Sequence, residues 1–88
     1  MTADLHHFRL FLEVAMNKNG CTYRHLEEAL NLDNGSISRT VTALGAKHRT
    51  GRPGLGLLTT SRDPEEPRRL LVSLTPKGTA LLRHIEGL

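Results

Sequence analysis

Apolar side chains recur along this chain first at helical and then at alternating spacing. Leu5, Phe8, Leu12 and Ala15/Met16, with Phe11 on the same side, mark one face of a first helix. Thr2 or Asp4 can start it, because a short side-chain oxygen accepts from the free N–H groups of a first turn. Asn17-Lys18-Asn19-Gly20 stops it, since Asn and Gly tolerate left-handed backbone. Cys21-Thr22 can form a very short strand, and Thr22 also suits the N-cap of a second, short helix. That helix turns Tyr23, Leu26 and Ala29/Leu30 inward and Glu27 and Glu28 outward. Asn31-Leu32-Asp33 is a tight connection, with Leu32 expected between helices. Asp33 is a natural N-cap for a third helix, whose inner face repeats Ile37, Val41 and Leu44. Its outer face carries Asn34, Ser36, Ser38, Arg39, Thr42 and Ala43, all small, polar or basic.

Beyond Gly45 the pattern changes. Lys47 through Gly56 holds three glycines and a proline, which rules out regular helix. Leu57 to Ser61 reads as a strand. Arg62-Asp63-Pro64-Glu65-Glu66-Pro67 reads as a hairpin tip, with two prolines that cannot donate to a ladder. Arg68 to Leu74 is a second strand, with Leu70, Val72 and Leu74 on one face. Thr75-Pro76 opens a last helix, the threonine as cap and the proline at the first helical position, where its missing N–H costs nothing. Leu81, Leu82, Ile85 and Leu88 form its apolar face. The expected class is α+β, mainly α: a three-helix core, a two-stranded wing and a C-terminal helix in one domain, residues 1–88.

Composition narrows the chemistry. Aromatics are only Phe8, Phe11 and Tyr23, so the core is aliphatic and there is no stacking platform for single-stranded bases. The one cysteine, Cys21, excludes an internal disulfide and a paired-cysteine zinc site, and reads as a small buried hydrophobe. The apolar runs are too short to cross a bilayer, and the chain starts Met-Thr-Ala-Asp without a basic-then-apolar leader. A reducing cytoplasm is the expected compartment, with no membrane partner. Five histidines occur, but His6 and His7 are adjacent and His25, His48 and His84 lack a partner one helical turn on. No metal, cofactor or enzymatic site is expected, as no nucleophile elbow or phosphate-binding glycine loop occurs.

Charge distribution says more than its total of +3. Residues 1–33 are net −2 and residues 63–88 neutral. Residues 34–62 carry Arg39, Lys47, Arg49, Arg52 and Arg62 with no acid, net +5. An acid-free block over a predicted helix and its following loop points to a polyanion. Two short helices joined by a tight turn, the second polar and basic outside, make a helix-turn-helix. A helix fits the major groove of B-DNA, where its N-terminal residues meet base edges, and the hairpin beside it is a wing.

The chain resembles the MarR (multiple-antibiotic-resistance regulator) family of winged-helix DNA-binding proteins. The match is best in Leu71-Val72-Ser73-Leu74-Thr75-Pro76-Lys77-Gly78, where the second wing strand meets the last helix. The family's Asp-x-Arg wing motif corresponds here to Glu66 and Arg68, one carbon longer in the acid. Leu26 to Leu44, including Ile37-Ser38-Arg39, is similar to the family's helix-turn-helix, and the likeness spans roughly residues 5–82. It implies a sequence-specific double-stranded DNA-binding transcriptional regulator. Family members are usually longer, with further terminal helices that build a dimer, and the stretch His48 to Leu57 is longer and richer in glycine than the family's.

The expected DNA-contacting residues are Asn34, Ser36, Ser38, Arg39 and Thr42 on the third helix, Lys47, Arg49 and Arg52 in the loop, and Arg62, Arg68 and Arg69 about the wing. Arg39 can reach guanine or phosphate, and Asn34 can read adenine. The Gly51-Arg52-Pro53 core is similar to minor-groove hook peptides, although Thr50 stands where a hook has arginine. The loop is therefore a minor-groove arm, a phosphate contact or slack. Arg68 either touches phosphate or pairs with Asp63 or Glu66 to hold the hairpin. The competing reading is a winged-helix module that binds another protein and DNA only weakly, which the acidic tip Asp63-Glu65-Glu66 keeps open. A homodimer through the terminal helices is expected, because Phe8, Phe11 and Leu12 with Leu81, Leu82, Ile85 and Leu88 exceed what one small core absorbs.

Overall fold

A computed structural model describes residues 2–45 and 54–88. The elements run α1 (Thr2–Ala15), β1 (Cys21–Thr22), α2 (Tyr23–Leu30), α3 (Asn34–Leu44), β2 (Leu58–Arg62), β3 (Leu70–Leu74) and α4 (Pro76–Glu86). The core is aliphatic apart from Phe11 and Cys21. Leu10 and Val14 of α1, Leu26 and Leu30 of α2, and Ile37, Val41 and Leu44 of α3 meet Leu57, Leu58 and Val72 from the sheet side. Leu32, Leu82 and Ile85 pack partly against it. Cys21 is buried, and burial together with the negative Glu13 pushes its thiol up to about 11.

The inner face of α1 agrees with the expected one at Phe11 and in part at Leu12, and differs at the other positions. Leu10, Phe11 and Val14 are buried, whereas Leu5 is 60% and Phe8 48% exposed. The helix carries two apolar stripes, and the core takes the one that faces α2 and α3. In α2, Leu30 is buried and Ala29 exposed, since only one of two adjacent positions can face inward.

Each cap follows from its local residues. Thr22 Oγ1 accepts the His25 N–H at 3.0 Å, Asp33 Oδ1 the Ser36 N–H at 2.8 Å, and Thr75 Oγ1 the Gly78 N–H at 3.0 Å. Asn31 closes α2 in left-handed backbone, φ 56°, and its N–H donates to the Glu27 carbonyl. This permits the three-residue turn into α3.

The sheet is antiparallel with order β1-β3-β2. β2 and β3 form the wing, in register from Leu58↔Leu74 to Arg62↔Leu70, while β1 pairs Cys21↔Val72 and Thr22↔Leu71. β3 starts at Leu70, two residues later than expected, because Pro67, Arg68 and Arg69 form the turn that enters it. Val72 is fully buried and Leu74 packs at the core edge, but Leu70 is exposed beyond it. No helix among the described residues is long and apolar enough to cross a membrane.

Residues 54–57 return along the end of α3. Leu55, Gly56 and Leu57 donate to the carbonyls of Ala43, Gly45 and Leu44 at 3.2, 2.8 and 2.8 Å. The Leu57 carbonyl accepts from Thr75 N at 3.0 Å, and a Cβ at Gly78 would collide with that carbonyl. The glycine of the Thr75-Pro76-Lys77-Gly78 string is thus required by a close backbone approach.

Gly78→Ala is expected to destabilise the fold by about 1–3 kcal/mol, an overpacking cost larger than the roughly 1 kcal/mol that alanine gains in helix propensity. Urea unfolding followed by circular dichroism measures the difference.

Candidate nucleic-acid interface

Helix α3 presents its N-terminal half to solvent. Asn34, Gly35 and Arg39 are exposed, and Ser36, Ser38 and Thr42 are half-buried. The Arg39 side chain leans back toward the helix start, as long side chains on helices do. Its Nη2 donates to Ser36 Oγ at 3.3 Å, and its Nη1 lies over Gly35. The guanidinium therefore stands beside the cap. The Ser36 backbone N–H holds the Asp33 carboxyl below the usual carboxylate range, helped by the Ser36 hydroxyl and the positive charge of Arg39.

The hydroxyls on α3 divide into two groups. Thr40 is buried and its Oγ1 donates to the Ser36 carbonyl at 2.9 Å, while Thr42 Oγ1 donates to the Ser38 carbonyl at 2.8 Å. Thr42 faces a groove of about 260 Å³ toward Thr59 and Thr60 of β2. Asn34 Nδ2 donates to Glu27 Oε2 at 3.0 Å, which joins the start of α3 to α2 and fixes which end of the amide is nitrogen.

The wing arginines occupy three different settings. Arg62 Nη1 donates to the Pro67 carbonyl at 3.0 Å and so braces the hairpin. Asp63 is partnered by Arg69, Nη1 to Oδ2 at 3.8 Å, and its other oxygen accepts the Glu65 N–H at 2.9 Å. The hairpin ion pair that was open to Arg68 thus belongs to Arg69, one residue on, whose side chain reaches back to Asp63. Arg68 pairs with neither Asp63 nor Glu66 and is exposed. Lys47, Arg49 and Arg52 lie outside the described residues.

Arg68 and Arg69 meet residues that the sequence pattern did not single out. An open cleft of about 750 Å³ lies between the first turn of α2 and the wing where its turn enters β3, lined by Tyr23, Arg24 and His25 of α2, by Arg68 and Arg69, and by Ser38 of α3. The pairing of β1 with β3 produces it, by carrying the start of α2 alongside Leu71. Only a two-residue strand signals that juxtaposition in the sequence. His25 Nε2 also contacts Glu13 Oε2 at 2.7 Å, tying α2 to α1. Among the described residues no group of His, Cys, Asp and Glu side chains could hold a metal ion.

Two helices in a tight turn, the second with a polar outer face, followed by a hairpin and a closing helix, define a winged helix-turn-helix. Solved structures sharpen this class. The chain is similar to a probable transcriptional regulator from Pseudomonas aeruginosa, with a TM-score of 0.74 at 28% identity over 91% of this chain and 54% of that one. It is similar to the PcaV transcriptional regulator from Streptomyces coelicolor in complex with its natural ligand (TM-score 0.70, 28% identity, 88% and 48% covered). It also matches a mutant MarR from E. coli complexed with operator DNA (TM-score 0.76, 22% identity, 93% and 52% covered). The fold is therefore a MarR-like winged helix-turn-helix. The chain spans about half the length of these structures. No family model and no curated protein matches it.

The Asp33 carboxylate contributes its capping bond above the usual carboxylate range, and that contribution is lost as pH falls through its lowered folded value. Asp33→Ala is therefore expected to lower the thermal midpoint at pH 7, with a gap from the parent protein that narrows toward pH 3. Melting curves at both pH values check this.

Proposed function

We propose that this chain is the DNA-reading part of a sequence-specific transcriptional regulator that binds double-stranded DNA. The observation that carries the reading is the N-terminal half of α3. It is capped and exposed, it joins α2 through a three-residue turn, and Arg39 lies across its start. In the major groove that geometry brings Arg39 to a guanine edge or a phosphate, and Asn34 and Ser36 to their neighbours. The likeness to transcriptional regulators, one of them solved with operator DNA, supports the reading. Ser38 and Thr42 are subsidiary contacts, and Arg62, Arg68 and Arg69 serve the DNA backbone from the wing. Lys47, Arg49 and Arg52 add positive charge in the loop.

One recognition helix reads only a few base pairs, so a two-fold partner that doubles the contacts suits this function. The second copy packs on the apolar stripe that the core leaves uncovered. Leu5, Phe8 and Met16 of α1 and its following turn are exposed, as are Leu81 of α4 and Leu88 beyond it. The regulator is read as a non-enzyme that needs no cofactor.

Arg39→Ala is expected to weaken binding to duplexes selected from a random pool by at least about tenfold, the range of one lost base contact, with the circular dichroism spectrum unchanged. Fluorescence anisotropy measures it, and undiminished affinity would remove Arg39 from the interface. The dimer is tested separately. Sedimentation is expected to show a dimer for the parent protein at tens of micromolar and a monomer for Phe8→Glu, and a monomeric parent would refute it.

A further inference from the structure

The cleft between α2 and the turn of the wing has a composition that the reading of α3 does not explain. Arg24, Arg68 and Arg69 converge on it from two segments far apart in sequence, with His25 beside them and Glu28 as the one carboxylate in its lining. Arg24 is held to Glu28 only through Nε, at 3.3 Å, and both side chains are largely exposed, at 88% and 71%. Exposed pairs one helical turn apart are weak and screened by salt. Arg24 can therefore exchange Glu28 for a stronger anion. Arg68 is free of both nearby acids, while Arg69 is engaged with Asp63.

Position matters as much as charge. Ser38 lines the cleft, one residue before Arg39, so the cleft flanks α3 on its wing side. A helix lying in the major groove is bounded on each flank by a sugar–phosphate strand, the groove being about 12 Å wide. On the DNA-binding reading, one of those strands passes along the flank of α3 where the cleft lies. Tyr23 and Leu70 supply apolar wall on either side, suited to a deoxyribose.

We propose that this cleft seats one backbone phosphodiester of the bound DNA, gripped by Arg24 from α2 and Arg68 from the wing turn. This rests on the DNA-binding reading above. It takes Arg68 from the hairpin turn, whose carboxylates Asp63, Glu65 and Glu66 do not line the cleft. It also adds Arg24, in a chain segment of net negative charge, to the interface. Such a contact positions the protein without reading sequence.

The test uses the parent chain, R24Q, R68Q, the double variant R24Q/R68Q, E28Q and R39A. Each is titrated by anisotropy onto a selected duplex and its single-base variants at several salt concentrations. R24Q and R68Q are each expected to weaken binding about threefold to tenfold, equally for all duplexes, as loss of a phosphate contact does. The double variant is expected to lose less than the product of the two and to lower the slope of log affinity against log salt by about 0.9, one phosphate's worth. E28Q is expected to tighten binding, since it releases Arg24 and removes a repelling carboxylate. A double variant that keeps the parental slope, or losses that multiply in full, would overturn the shared seat. If R39A loses binding while R24Q/R68Q behaves as the parent does, the clamp fails and the DNA reading stands. If the parent chain binds no duplex, both fail together.

Discussion

The peptide unit of Leu57 ties the architecture together. Its N–H reaches the Leu44 carbonyl at the end of α3, its carbonyl takes the Thr75 N–H at the entrance to α4, and Gly78 closes over that same carbonyl. Flanking bonds extend the junction: Leu55 to Ala43, Gly56 to Gly45, and the Thr75 hydroxyl to the Gly56 carbonyl at 2.6 Å. The last carbonyls of a helix have no partner within it. Here the chain entering the wing satisfies them. The C-terminal end of α3 is thereby fixed to the wing and to α4, while its N-terminal end projects from the turn under the Asp33 cap. One end of the helix is anchored by backbone and the other is exposed, which suits the proposed entry of α3 into a groove without shifting against its support.

What could be read from the sequence is what depends on residues within about one helical turn. The caps at Thr22, Asp33 and Thr75, the Asn31 turn and the inner face Ile37, Val41 and Leu44 are all of this kind, and all are present. The inner face of α1 was legible only in part. Phe11 is buried as expected, but Leu5, Phe8 and Leu12 form as regular a stripe as Leu10 and Val14, and periodicity cannot say which of the two meets α2 and α3. The partner of Asp63 was equally hidden, because it depends on which way adjacent side chains turn where the chain enters a strand. Arg24 was missed for a third reason. Its place beside Arg68 rests on β1, a strand too short to announce its pairing with β3.

Charge shows how far linear counting goes. Residues 34–62 hold the acid-free block, yet of its cations among the described residues Arg62 is turned onto the Pro67 carbonyl within the hairpin and only Arg39 lies along α3. Among the described residues, Arg24, Arg68 and Arg69 line a cleft with Ser38 of α3, and their own segments are net negative or neutral. The fold gathers cations that the chain keeps apart.

The wing mixes opposite charges within one turn. Arg68 and Arg69 lie with Asp63, Glu65 and Glu66 beyond the last ladder pair, Arg62↔Leu70. Asp63 is partly neutralised, since it holds Arg69 and the Glu65 N–H, but Glu65 and Glu66 are exposed. Arg68 and Arg69 line the cleft beside α2 and Ser38 of α3, and the three carboxylates do not. At physiological salt such fields decay over roughly 8 Å, so the charges nearest to a polyanion weigh most. An acidic turn is thus compatible with a polyanion partner when its arginines, and not its carboxylates, line the side next to the helix whose far end the Leu57 junction holds in place.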